Sequence, residues 1–289
     1  FPMHGHHRRS VFRWSSLLLV SLALLVLSTP AACLMQGPGG STLETAARRA
    51  AREKWDGMWQ NGIAPGQAFD ASGVEPAFAA LFADEEAPPE SRRFGASLPP
   101  LPRGRALVPG CGRGYSLVAL ARAGFDQVDG LEISPSAQEA AVEYVSTQKD
   151  LVDVNRIDVR VDDFFEFSAT GAAGSYDLIY DCTFLCAIPP ERREEWAAQM
   201  KALLRPGGEL VTLIFPVFEG RPDPVHGEVG SGPPFNMSPQ LVKNLLEPHG
   251  FTNVLLEPVP PELLARRPLA PEFIARWVNT AGSGDCAAE

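Results

Sequence analysis

Arg105-Ala-Leu-Val-Pro-Gly-Cys-Gly-Arg-Gly-Tyr115 runs from an apolar strand into a glycine loop and on into a helix. Ala106 to Val108 has the character of a buried strand, and Gly110, Gly112 and Gly114 punctuate the next five residues. A second apolar run ends on Gly130-Leu-Glu-Ile-Ser134, which puts a single acid, Glu132, at its tip. Strand, glycine loop, helix and acid-tipped second strand make the layout of an adenosine-cofactor site. The glycines are spaced G-x-G-x-G, not in the G-x-G-x-x-G of dinucleotide sites. This spacing favours S-adenosylmethionine over NAD, because the methionine and ribose portions carry no pyrophosphate for a helix N-terminus to hold. Glu132 would then bond both ribose hydroxyls, and Gly110 and Gly112 would let the backbone approach the ligand. The competing reading is a glycine turn followed by a solvated strand-end acid.

Outward from this loop, strands and helices alternate. Strands are predicted at Arg105–Pro109, Gln127–Ile133, Ile157–Val161, Tyr176–Asp181, Glu209–Phe215, Thr252–Pro258 and Glu272–Asn279. Helices are predicted at Leu43–Asn61, Glu75–Ala83, Ser116–Ala123, Ala137–Gln148, Glu191–Leu204 and Pro239–His249. The pattern predicts an α/β fold with a seven-stranded, mostly parallel sheet covered on both faces. Asp84 to Arg103, rich in proline, acid and serine, reads as a surface loop.

In such a sheet, ligands sit beyond the carboxyl ends of the strands. Asp163-Phe-Phe165 follows the third strand. It reads either as an acid and aromatics for an adenine, or as a helix N-cap followed by core aromatics. Asp181, at the end of the fourth strand, either attracts the cationic end of the cofactor or faces water. Trp55 and Trp59, one turn apart, either pack on the core or face a sulfonium. Cys182 and Cys186 lack the partners of a zinc site and read as small core residues, so no metal is expected.

The 289 residues suffice for one domain with a large core. A net charge of −10 argues against nucleic acid as partner and leaves a small-molecule acceptor. Five cysteines in a chain of this length do not make a disulfide framework. His4 to Arg13 is basic, Leu17 to Leu27 is apolar, and small residues follow up to Cys33. This describes a secretory or organelle signal over residues 1–36; left uncleaved, it would be a membrane anchor. Gln36-Gly-Pro-Gly-Gly-Ser41 is a linker, so the domain is expected over residues 37–280, with a tail at 281–289. A monomer is expected.

Taken in order, Trp55-x3-Trp59, Ala106 to Tyr115, Gly130 to Ser134, Asp163 to Phe165, Asp181-x-Thr-Phe-x-Cys-Ala-Ile188, Arg205 to Leu210 and Gly232-Pro-Pro234 resemble the thiopurine S-methyltransferase family. The likeness is to its plant and algal halide/thiol branch and runs from Glu53 to Trp277. It implies a class I methyltransferase fold, S-adenosylmethionine as methyl donor and a small soft acceptor: a thiol, thiocyanate or halide. It implies cofactor contacts from Trp55, Trp59, Gly110, Glu132, Asp163, Phe164 and Asp181, with Gly112 in the same loop. Phe215 and Phe184 are placed at the substrate pocket. Two departures stand out. Gly66 follows Pro65 where that branch has a third tryptophan, and Ser116 stands where an acid is usual. The alternatives are another small acceptor on the same fold, or a non-catalytic cofactor-binding or anchored protein.

Overall fold

The computed structural model describes residues 45–280 except 89–90, 95–97, 219–231 and 267–269. They belong to one compact unit, Glu44–Glu289. The expected signal, linker and tail lie outside the described residues, and so does most of residues 219–232, a stretch rich in proline and glycine.

Seven strands form one sheet: β1 (Arg105–Pro109), β2 (Gln127–Glu132), β3 (Ile157–Val161), β4 (Tyr176–Cys182), β5 (Leu204–Ile214), β6 (Phe251–Pro258) and β7 (Phe273–Asn279). Their order is β3-β2-β1-β4-β5-β7-β6. The first five pair in parallel, and β7 runs antiparallel between β5 and β6. Among the described residues, six α-helices accompany them: α1 (Ala46–Gln60), α2 (Pro76–Glu86), α3 (Tyr115–Arg122), α4 (Pro135–Thr147), α5 (Arg193–Leu203) and α6 (Pro239–Leu246).

Alternation along the strands sorts the core into two layers. Ala106, Val108, Leu178 and Tyr180 pack with Phe78 of α2 and Leu117 of α3. Leu107 and Ile179 face the other way, onto Trp196 and Met200 of α5 and Leu246 of α6. The central strands are therefore apolar on both sides and read as continuous hydrophobic runs. Gly130 lets α3 lie close to β2: a Cβ there would come within 2.7 Å of Leu117 and 2.8 Å of the Cys111 sulfur.

The segment expected to be a surface loop differs. Helix α2 continues to Glu86, and the buried Asp84 carboxylate accepts the backbone N–H groups of Arg93 and Phe94, both at 2.8 Å. Phe94 enters the core beside these bonds, and so does Leu101, whose N–H donates to Glu85 Oε1 at 2.8 Å. The apolar residues of a proline-rich stretch had a place to be buried, and Asp84 satisfies the backbone that comes with them.

In the middle of β5, Glu209 meets Arg276 of β7 in a bidentate pair at 2.8 and 3.0 Å, buried in the sheet. Replacing Arg276 with Met leaves that carboxylate buried without its partner. Arg276→Met is expected to lose about 3–5 kcal/mol of stability in urea unfolding. A loss below about 1 kcal/mol would show that the pair is not what ties β7 to β5.

Candidate active site

A cavity of about 570 Å³ opens at the carboxyl ends of β1, β2, β3 and β4, within the range of small-ligand sites. Trp55, Trp59, Gly110, Gly112, Glu132, Asp163, Phe164, Phe184 and Phe215 all line it. The sequence thus brought nine candidates to one place.

The glycine loop sets its floor. Gly110, at φ 58°, packs so closely on Phe184 that a Cβ would meet the ring at 2.6 Å. The N–H of Gly112 donates to Glu132 Oε1 at 2.6 Å. Glu132 is only 8% exposed. Burial pushes its carboxyl up to about 7, although backbone hydrogen bonds from Gly112, Ile133 and Ser134 favour the ionised form. Burial, and then the charge of Glu132, raise the neighbouring Cys111 thiol, which argues against a nucleophilic role.

Beyond β3, Asp163 accepts the N–H of Phe165 at 3.0 Å and caps the turn after it. Phe164 meets Phe165 and Phe184 edge-on, at 5.3 and 5.1 Å between centroids. The Arg192 guanidinium lies 3.5 Å over the Phe165 ring. At the exit of β4, Thr183 holds φ 60°, a strained conformation for a β-branched residue and of the kind found at functional sites.

Asp181 is placed differently from the sequence expectation. Its side chain does not line this cavity. One oxygen accepts the N–H groups of Phe184 and Leu185, at 2.9 and 3.1 Å, and the other accepts Trp196 Nε1 at 2.9 Å. Three donors turn the carboxylate inward, where it shapes the loop that carries Phe184. Burial raises its carboxyl to about 6, against those same donors.

Several wall residues carried no signal in the sequence. Helix α1 and the loop after it form the wall opposite the strand ends, and one polar side chain from them reaches each of three loops. Arg48 reaches Asp162 at 3.3 Å and Asp163 at 3.5 Å, beyond β3. Asp56 accepts from Ser134 Oγ at 2.8 Å and the Ser136 N–H at 3.0 Å, beyond β2. Asp70 bonds Arg113 at 2.8 Å and accepts the Tyr115 hydroxyl at 3.1 Å, beyond β1. Phe69, three residues past Gly66, meets Trp55 and Trp59 edge-on, at 5.7 and 5.8 Å. Another part of the wall carries Arg266, paired with Glu75 at 3.1 Å and lying 5.1 Å over the ring of Phe215. Arg266 and Glu75 are 191 positions apart, too far for any local pattern to join them.

Ser116, the other departure, is buried at the cavity. Among the described residues, no three His, Cys, Asp or Glu side chains group as a metal site, and no helix is long and apolar enough to cross a membrane.

The cavity fits an adenosyl group. It has the volume, a glycine floor that a Cβ at Gly110 would disrupt, and a buried carboxylate at the second strand tip. Comparison with known proteins agrees. A family model described as thiopurine S-methyltransferase matches residues 50–257. Thiocyanate methyltransferase 1 of Brassica oleracea is 34% identical over 224 residues, 77% of this chain and 83% of the relative. Probable thiol methyltransferase 2 of Arabidopsis thaliana is 38% identical over 181 residues, 63% of this chain and 72% of the relative. Among solved structures, the 1,6-didemethyltoxoflavin-N1-methyltransferase of Burkholderia thailandensis, with S-adenosylhomocysteine bound, has a TM-score of 0.56. It is 18% identical, with 84% of this chain and 94% of that one covered, and shares the fold.

The Glu132 carboxyl supplies a stability test. Its folded value, about 7, lies above the 4.5 of the free side chain. The folded state therefore holds the proton more tightly, and this group's contribution to stability falls as pH rises from 4.5 to 7. Glu132→Gln removes that penalty. The variant is expected to exceed the parent by on the order of 2 kcal/mol in urea unfolding at pH 8, with the gap shrinking toward pH 5. A variant no more stable than the parent at pH 8 would contradict the burial argument.

Proposed function

The chain belongs to the thiopurine S-methyltransferase family and is an S-adenosylmethionine-dependent methyltransferase, and we propose that its acceptor is a small soft nucleophile: a thiol, thiocyanate or halide. The observation that carries this reading is the cavity itself. Glu132 stands at one part of it, and Phe184, Phe215 and the Glu75–Arg266 pair line its wall. The named activities of the plant relatives support the same class.

When bound, S-adenosylmethionine supplies a methyl group made electrophilic by its sulfonium. The chain's own residues hold and orient. The Glu132 carboxylate would accept hydrogen bonds from the two ribose hydroxyls, charge-assisted bonds that need its ionised form. Asp163 and Phe164, held by the capped turn after β3, would border the adenine. Trp55 and Trp59, which line the cavity, would offer the positive charge a cation–π contact worth about 0.5–2 kcal/mol. Soft anions are nucleophilic without a strong base, so the protein acts by alignment and by excluding water. Phe184 and Phe215 supply apolar surface for that exclusion.

The acidic net charge supports a small molecule over a nucleic acid as partner, and we read the enzyme as a monomer. The basic, apolar and small-residue succession from His4 to Cys33 supports entry into the secretory route or an organelle.

The test is a headspace and product assay. The protein, supplied with S-adenosylmethionine and in turn iodide, thiocyanate, hydrosulfide and a small thiol, is expected to yield the matching methyl product. Glu132→Ala is expected to weaken donor binding at least about tenfold by calorimetry, through loss of two charge-assisted bonds. Turnover with a carboxylate, amine or arsenic acceptor, and with none of the soft nucleophiles, would overturn the acceptor class. An unchanged dissociation constant in Glu132→Ala would overturn the ribose assignment.

A further inference from the structure

The loop from Asn61 to Val74, between α1 and α2, carries a charged contact to the glycine loop that the donor site does not itself require. Asp70 Oδ2 meets Arg113 Nε at 2.8 Å, with Asp70 2% and Arg113 15% exposed. Arg113 also donates to the Ile63 carbonyl at 2.5 Å and lies 5.4 Å over the Trp59 ring. The second Asp70 oxygen takes the Tyr115 hydroxyl at 3.1 Å and the Ser72 N–H at 2.8 Å. One carboxylate therefore joins this loop to both Arg113 and Tyr115, the residues on either side of Gly114.

The backbone around it is strained. Ala68 at φ 52° and Ser72 at φ 63° flank Asp70, and are two of the three non-glycine residues with left-handed φ among the described residues. Such conformations persist only where the surroundings hold them. Here the Asp70 bonds to Ser72, Tyr115 and Arg113 do the holding. The loop also forms cavity wall, through Ala68, Phe69, Asp70, Ala71 and Gly73. The facing wall is strand ends fixed by the sheet. The loop is thus the part of the enclosure joined to the glycine loop through one carboxylate, Asp70.

We propose that Asp70 is a positioning residue that latches this loop onto the glycine loop through Arg113, and so sets the rate at which S-adenosylhomocysteine leaves. The proposal rests on the reading of the cavity as the donor site. Loss of the pair lets the strained loop relax and opens the wall beside Trp55 and Trp59. Asp70→Asn removes the charge yet keeps an oxygen for the Ser72 N–H and Tyr115 hydroxyl, and so isolates the bond to Arg113. Arg113→Gln removes the other partner.

The test is stopped-flow tryptophan fluorescence on the 289-residue chain, loaded with S-adenosylhomocysteine and mixed with excess sinefungin, a donor analogue. Both variants are expected to release product about tenfold faster, equal to 1.4 kcal/mol. A structural role alone would lower the signal amplitude, which counts folded sites, and leave the rate constant unchanged. Rate constants within twofold of the parent, with or without lost amplitude, overturn the proposal; if one variant is insoluble, the other decides. Failure of the parent to bind S-adenosylhomocysteine in a separate calorimetric titration would instead overturn the donor-site reading.

Discussion

A carboxylate kept out of water at the tip of β2 is the constraint on which the site depends. Burying an ionisable group is costly unless its charge is matched. The fold meets that cost only in part: Gly112 turns its N–H onto Glu132, yet the carboxyl still lies near 7. To offer that N–H, the loop after β1 must pass through left-handed conformations at Gly110 and Gly112. The bare Gly110 backbone in turn lets Phe184 pack against it. Phe184 is held there because Asp181 accepts its N–H. The acid, the glycines and the β4 loop are thus one connected arrangement, poised to bind a ligand whose hydroxyls stabilise the ionised form.

The other wall is made differently. Helix α1 and the loop after it add no strand to the sheet. They are joined to the three strand-end loops by Arg48, Asp56 and Asp70. Aromatic contacts among Trp55, Trp59 and Phe69 fill the space between those polar bonds. Methyl transfer to a soft nucleophile asks mainly for alignment and a dry enclosure. A rigid floor and a pinned wall provide both, and differ in how readily they open.

Much of this was legible in the sequence because its causes are local. Ala106 to Tyr115 encodes a strand, a turn and a helix start within a dozen positions, and Glu132 comes one strand later. Strand and helix positions followed from periodicity, and errors clustered at ends such as α2, which runs on to Glu86. What escaped depends on distant partners. The stretch after Asp84 looked like surface because nothing nearby shows that Phe94 has a core to enter. Asp181 was placed on the correct loop, but its direction is set by Trp196, fifteen positions on. Asp70 and Arg266 act through residues far along the chain.

The central claim is that Glu132 is held partly protonated by burial and ionises when it takes the ribose hydroxyls. Calorimetry of S-adenosylhomocysteine binding, in buffers of different ionisation enthalpy, counts the protons exchanged. The account predicts release of a fraction of a proton near pH 6.5, fading above pH 8 as the free carboxyl ionises, and absent in Glu132→Gln. No release at pH 6.5, or the same release in the variant, would contradict it.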